Sequence, residues 1–82
     1  MEQLKTIKEL INQGDVAEAI RQLDEYLITD STDRDEAFYL LGNAYRKQGN
    51  WQLALNNYQY AIDLNPDSPA HEAYRMAMDI LN

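Results

Sequence analysis

The chain contains 82 residues, with 14 acidic and 7 basic side chains, a formal net charge of −7 and no cysteine. This length suits a single domain, and without cysteine neither a disulfide nor a thiolate metal site can stabilise it. The negative charge argues against nucleic acid and anionic membrane surfaces as partners, because both attract clustered Lys and Arg. No apolar stretch approaches the ~18 residues of a membrane span, and we expect a cytoplasmic protein.

Five amphipathic segments predict five helices. In each segment apolar residues recur at intervals of three and four, which places them on one side of a helix. Gly and Pro lie between these segments, apart from Gly42, which falls inside the third, and Pro69, which falls in the first turn of the fifth. The predicted helices span residues 2–13, 15–28, 33–48, 51–64 and 68–82.

Residues that cap helices precede four of the five segments. The side-chain oxygens of Ser, Thr, Asp and Asn accept hydrogen bonds from the free N–H groups of a first turn. Asp15, with Glu18 three residues later, has the spacing of a reciprocal capping box. The other predicted caps are Thr32 or Asp33, Asn50, and Ser68 before Pro69.

The sequence also repeats itself. The loop Gln13-Gly14-Asp15 returns 35 positions later as Gln48-Gly49-Asn50, and Ala19 returns as Ala54. Loops this short force neighbouring helices to run antiparallel. A helical hairpin that recurs at this period indicates a solenoid, so we predict two hairpins followed by one more helix.

The second of these hairpins carries a spaced set of aromatic and small residues. They are Phe38, Leu41, Gly42 and Tyr45, followed by Ala54, Tyr58, Ala61 and Pro66. Gly42 and Ala54 are expected where the two helices approach closely, with Tyr45 and Tyr58 beside that contact. This pattern resembles the tetratricopeptide repeat (TPR) family.

The resemblance is strong over residues 35–68 and partial over residues 1–34, while residues 69–82 resemble the capping helix that follows a last repeat. It implies an all-α fold of antiparallel hairpins, stacked as a short right-handed solenoid in one domain. The first helix would then belong to a degenerate first repeat or form an N-terminal cap. Because Ile80 and Leu81 are apolar and lie almost at the end, we also expect the natural chain to be longer.

The resemblance further implies a concave groove, lined by the first helix of each hairpin, that holds a peptide or a partner helix. Leu4, Ile11 and the alanines of the fifth helix are expected on this face. The residues expected to bind the partner are Lys8, Asn12, Tyr39, Asn43, Arg46 and Lys47. Three of these are cationic and would favour a ligand carboxylate, although an ordinary solvated helix face would carry the same charges.

A protein-binding scaffold or adaptor is therefore the predicted function. The alternative is a self-associating or structural module, since the last helix is apolar on more than one side, through Tyr74, Met76, Met78, Ile80 and Leu81. We predict neither an enzyme nor a cofactor or metal site, because His71 is the one histidine and no catalytic set accompanies it. The partner and the oligomeric state are left open by the sequence.

Overall fold

The structure is a computed structural model that describes residues 2–29 and 32–81. Over these residues the chain forms helices without any strand, which confirms the predicted all-α class. Each helix begins and ends within two residues of its predicted bounds, where the described residues allow the comparison. The helices are α1 (Glu2–Gln13), α2 (Val16–Thr29), α3 (Arg34–Lys47), α4 (Trp51–Leu64) and α5 (Ala70–Leu81).

Both hairpin turns have the same backbone geometry. Gly14 and Gly49 have φ values of 92° and 78°, in a region that side chains disfavour and glycine tolerates. The N–H groups of the next residues, Asp15 and Asn50, donate to the carbonyl oxygens five positions earlier at 2.9 Å. These bonds satisfy the last carbonyls of α1 and α3 in the Schellman arrangement, so each turn reverses the chain within two residues.

Two of the predicted helix caps are formed. Asn50 Oδ1 accepts from the Leu53 N–H at 3.3 Å, and Ser68 Oγ accepts from the Ala70 N–H at 3.0 Å. Asp33 precedes α3 with a left-handed backbone (φ 51°), and its side chain makes no capping hydrogen bond. The cap predicted at Asp33 is therefore wrong, because this conformation directs the side chain differently from a normal N-cap.

The predicted reciprocal capping box at α2 is also wrong. In a capping box, the Glu18 carboxylate would accept a hydrogen bond from the Asp15 N–H. That N–H already donates to the Leu10 carbonyl at the end of α1. The Glu18 carboxylate instead accepts from Arg21 and Gln22, at 2.6 and 2.8 Å. Because the turn is tight, the Asp15 N–H donates to the end of α1 and is not available for capping the start of α2.

The apolar core has two parts, and α3 lies between them. One part joins α1, α2 and α3, and the other joins α4 and α5. Phe38, Tyr39 and Tyr45 on α3 pack against both. Trp51 also packs against the second part. No helix in the described part of the chain has the length and apolar character needed to cross a bilayer.

Helices α3 and α4 are in close contact at Gly42. A Cβ atom at this position would lie 3.0 Å from Tyr58 Cγ and closer still to Cδ1 and Cε1 of the same ring. Tyr58, Ala54 and Ala61 are fully buried beside this contact. The predicted reason for the small residues is confirmed: the ring of Tyr58 occupies the space that a larger residue would need.

Gly42→Ala should lower the free energy of unfolding by about 1–3 kcal/mol, because the added methyl overpacks the contact with Tyr58. The higher helix propensity of Ala alone would raise the free energy of unfolding by roughly 0.5–1 kcal/mol. Denaturation in urea, followed by circular dichroism, measures the net effect. Ala17→Gly, at an exposed position of α2, calibrates the propensity difference. A Gly42→Ala protein as stable as the wild type would contradict the close contact.

Candidate functional site

A cleft of about 380 Å³ lies between α1, the first half of α3 and the connection between α4 and α5. Two of the predicted binding residues, Lys8 and Tyr39, line it. The remaining lining residues are Asp35, Glu36, Leu40, Asn65, Ser68 and Pro69. The cleft therefore combines an aromatic ring and apolar groups with a small number of polar side chains, as ligand sites commonly do.

The connection between α4 and α5 is held against α3 by polar contacts. Asn65 Nδ2 donates to Asp35 Oδ2 at 3.0 Å, and Asn65 Oδ1 accepts from the Asp67 N–H at 3.0 Å. Ser68 is buried at the start of α5, where its hydroxyl caps the helix. The Asn65 side chain thus links this wall of the cleft to α3, through Asp35, and to the next residues of the connection, through Asp67.

The charges along the groove are separated. Lys8 shares the cleft with Asp35 and Glu36, which lie in the first turn of α3. Arg46 and Lys47 lie in the last turn of the same helix and do not line the cleft. One end of the α3 surface is therefore acidic with a single lysine nearby, and the other end is basic.

Asn43 lies between these ends, and its orientation is fixed by the core. The Tyr58 hydroxyl donates to Asn43 Oδ1 at 2.6 Å, and the ring of Tyr39 lies 6.1 Å from that of Tyr58, centroid to centroid. Burial raises the pKa of Tyr58 to about 12, while the nearby Arg46 charge acts in the opposite direction. Because its oxygen faces Tyr58, Asn43 has its Nδ2 group to offer to a ligand.

Some residues expected on the groove belong to the core instead. Leu4 and Ile11 are buried among α1, α2 and α3, and Ala70 and Ala77 are buried against α4. Their placement on the groove face was wrong, because these residues lie on the apolar side that each helix buries against its neighbours. Asn12, by contrast, is exposed on α1 outside the cleft.

Sequence reasoning missed the side of the cleft formed by the α4–α5 connection. The sequence pattern predicts Ser68 and Pro69 as a helix start only, and it predicts no role for Asn65, although all three residues line the cleft. The described residues include no group of three or more His, Asp or Glu side chains placed to hold a metal ion. His71 is exposed in the first turn of α5.

Comparison with known proteins places this arrangement in context. The sequence profile described as "Tetratricopeptide repeat" matches residues 35–68. The photosystem I assembly protein Ycf3 of Synechococcus sp. (strain CC9902) is 41% identical over 61 residues, covering 72% of this chain and 35% of that protein. Its counterpart from Prochlorococcus marinus (strain MIT 9303) is 36% identical over the same shares. The chain thus spans about a third of these curated relatives.

A solved structure covers the whole chain. The solution NMR structure of Bacteroides fragilis protein BF1650 is 67% identical in sequence, with a TM-score of 0.95. It matches 100% of this chain and 83% of its own length. The helical arrangement described above is therefore shared with a protein of known structure.

Alkaline pH should destabilise the fold through Tyr58. Its pKa is about 12 in the folded chain and about 10 in an unfolded one, so folding favours the protonated hydroxyl. The stability this provides is complete below about pH 10 and is lost as the pH rises towards 12. Burial also raises the pKa of Tyr45, so Tyr58→Phe should make the decline shallower without removing it.

Denaturation in guanidinium at a series of pH values from about 8 to 12 measures this decline. At the lower end, Tyr58→Phe should cost about 0.5–1.5 kcal/mol, because the hydrogen bond to Asn43 is lost. Tyr60→Phe removes a hydroxyl from an exposed position on the same helix and serves as the control. An equally steep decline in Tyr58→Phe and wild type would contradict the role of this hydroxyl.

Proposed function

The chain belongs to the tetratricopeptide-repeat family, and we propose that it holds a peptide or partner helix of another protein in its groove, as a scaffold or adaptor. The observation that carries this proposal is the cleft of about 380 Å³ beside α3, with Tyr39 and Lys8 in its wall. Relatives whose names describe them as assembly proteins support an adaptor role in building a protein complex.

We propose that α3 supplies most of the binding surface. Tyr39 offers a flat apolar ring to a partner side chain, and its ring is supported from behind by Tyr58. Asn43, held by the same tyrosine, presents its Nδ2 group to a carbonyl oxygen of the bound backbone. Because both contacts are fixed before binding, little side-chain order has to be gained on association.

The charges suggest how a partner would be oriented. A carboxylate on the ligand would bind near Arg46 and Lys47, at the C-terminal end of α3. At the other end Asp35 and Glu36 would repel it and would favour an amide or cationic group. We therefore propose that the ligand carboxylate predicted from the sequence binds at the C-terminal end of α3. Lys8 and Asn12 are proposed to contact the partner along α1.

Further features belong to this proposal. The function is binding without catalysis, in the cytoplasm. The division of the chain into a degenerate first repeat (residues 1–34), a complete repeat (35–68) and a capping helix (69–82) is also proposed. Its support is the identical backbone geometry of the turns at Gly14 and Gly49.

Replacing Lys8 and Lys47 together with Ala should weaken partner binding about tenfold or more, equivalent to roughly 1.4 kcal/mol per tenfold. The tagged chain is first used for affinity capture, and the captured protein is then titrated against both forms. Lys5→Ala with Arg75→Ala is the matched control, since it removes the same charge from exposed positions that are not assigned to partner binding. Equal loss in the control pair would count against the groove.

A second candidate function is a structural role in a larger assembly through α5. Met76, Ile80 and Leu81 are exposed on this helix. Apolar groups on the last helix of a solenoid are typical of surfaces that pack against another polypeptide. The homo-oligomer predicted through this helix is one form of such an assembly.

Met76→Gln with Ile80→Gln removes apolar area from α5 without changing the charge. We expect this variant to lose a subset of the captured proteins while it retains those held by the groove. Quantitative mass spectrometry of proteins captured by the wild type, this variant and the Lys8 and Lys47 variant measures the difference. Identical sets for wild type and the α5 variant would remove the structural role of this face.

A further inference from the structure

The outer side of α4 exposes a line of three large apolar residues. Leu53, Tyr60 and Leu64 have 37%, 52% and 54% of their surface accessible. Because they are spaced by seven and four residues, they fall on one narrow side of the helix. The line runs over twelve positions, so its two ends are about 16 Å apart along the helix. These three residues are called the α4 apolar line, and none of them lines the cleft.

A hairpin of this kind can fold without apolar residues on the outer side of its second helix. The internal repeat places Glu18, Glu25 and Thr29 of α2 at the equivalent positions, 35 residues earlier. There the outer side is polar and bonded to itself: Arg21 donates to Glu18 at 2.6 Å and to Glu25 at 3.5 Å. Since one hairpin folds with polar groups on this side, the apolar groups on the other are free to serve an intermolecular contact.

Tyr60 packs against Phe38. Its ring lies 5.2 Å from that of Phe38, centroid to centroid, and the two planes are tilted by 54°. More than half of Tyr60 remains exposed in spite of this contact. Phe38 therefore fixes the orientation of Tyr60 without covering it.

Helix α4 itself carries little charge. Asp63 is the single charged residue of α4, whereas α2 has four. The polar residues beside the line bond to each other: Gln52 to Asn56 at 3.1 Å, and Gln59 to Asp63 at 2.8 Å. Two copies of a chain with a net charge of −7 repel each other over most orientations. A contact between the two α4 helices places one carboxylate of each copy, that of Asp63, in the contact region.

We propose that a second copy of this chain docks on α4, with the two α4 helices antiparallel about a two-fold axis. The line is nearly self-complementary in this arrangement, since Leu53 of one copy faces Leu64 of the other and the two Tyr60 rings lie near the middle. The two Asp63 side chains are then at opposite ends of the contact. Both clefts stay open, so the pair presents two binding sites to a multivalent partner.

The proposed contact between the two copies is weak, and salt should strengthen it. A line of three residues is smaller than the roughly 800 Å² per partner of a standard interface, so the pair dissociates on dilution. Salt screens the repulsion between two acidic chains, so raising the ionic strength should strengthen the pairing. Binding at the groove through Lys and Arg should weaken under the same change.

Sedimentation equilibrium from about 10 μM to about 1 mM tests the proposal, in about 20 mM and about 300 mM NaCl. For the wild type we expect the average mass to rise towards that of two chains, and to rise at lower concentration in high salt. The triple variant Leu53→Gln, Tyr60→Gln and Leu64→Thr gives α4 a polar outer side of the kind α2 already has, at unchanged charge. It should remain a monomer throughout.

The α5 variant Met76→Gln with Ile80→Gln is the matched control and should pair like the wild type. Pairing that is lost in the α5 variant and retained in the α4 variant would overturn the proposal and assign the contact to α5. A wild-type chain that stays monomeric at the highest concentration and salt would overturn it as well.

A dilution series of amide NMR spectra of the wild type tests the location without any substitution. Concentration-dependent shifts should cluster on α4, around Leu53, Tyr60 and Leu64. If the triple variant does not fold, Leu64→Thr alone, at the exposed end of α4, should reduce these shifts. Shifts concentrated on α5 or around the cleft would contradict the proposed surface.

Discussion

The contact between Gly42 and the ring of Tyr58 is the constraint on which the rest of the structure depends. It lets α3 and α4 approach closely enough for the ring to fill the space between them. The same tyrosine reaches past the contact to hold Asn43, and it supports Tyr39 from behind. The packing that stabilises the hairpin thus also orients the side chains that α3 presents to the groove, so stability and binding geometry share one residue.

The cleft depends equally on the segment that connects the second hairpin to α5. Asn65 links Asp35 at the start of α3 to the chain that leads into α5. This wall of the cleft is therefore a consequence of how α5 packs on α4, with Ala61, Ala70 and Ala77 buried at that contact. Small residues allow α5 to lie close, and the connection is brought over α3 as a result. A hairpin without its following helix would lack this side of the site.

The two proposed surfaces use different physical forces. The groove separates its charges along α3, so it can orient a ligand electrostatically. The outer side of α4 carries a single charge and three exposed apolar residues, so it relies on burial of apolar area. In an acidic chain these forces respond to salt in opposite directions, and the two contacts do not compete for the same residues. The two proposed surfaces are therefore compatible with each other on one chain.

The sequence by itself determined the five helices, the two short turns and the small residues at the α3–α4 contact. These follow from local rules: the spacing of apolar residues, the tolerance of Gly49 for a positive φ, and the space that Tyr58 needs beside Gly42. Only the tertiary structure decided which faces were buried and which polar groups met. Leu4 proved to be core, and Asn65 joined the cleft through a contact 30 residues away in the chain. Periodicity identifies the side of a helix that is apolar, whereas the neighbour that covers it depends on how all five helices pack together.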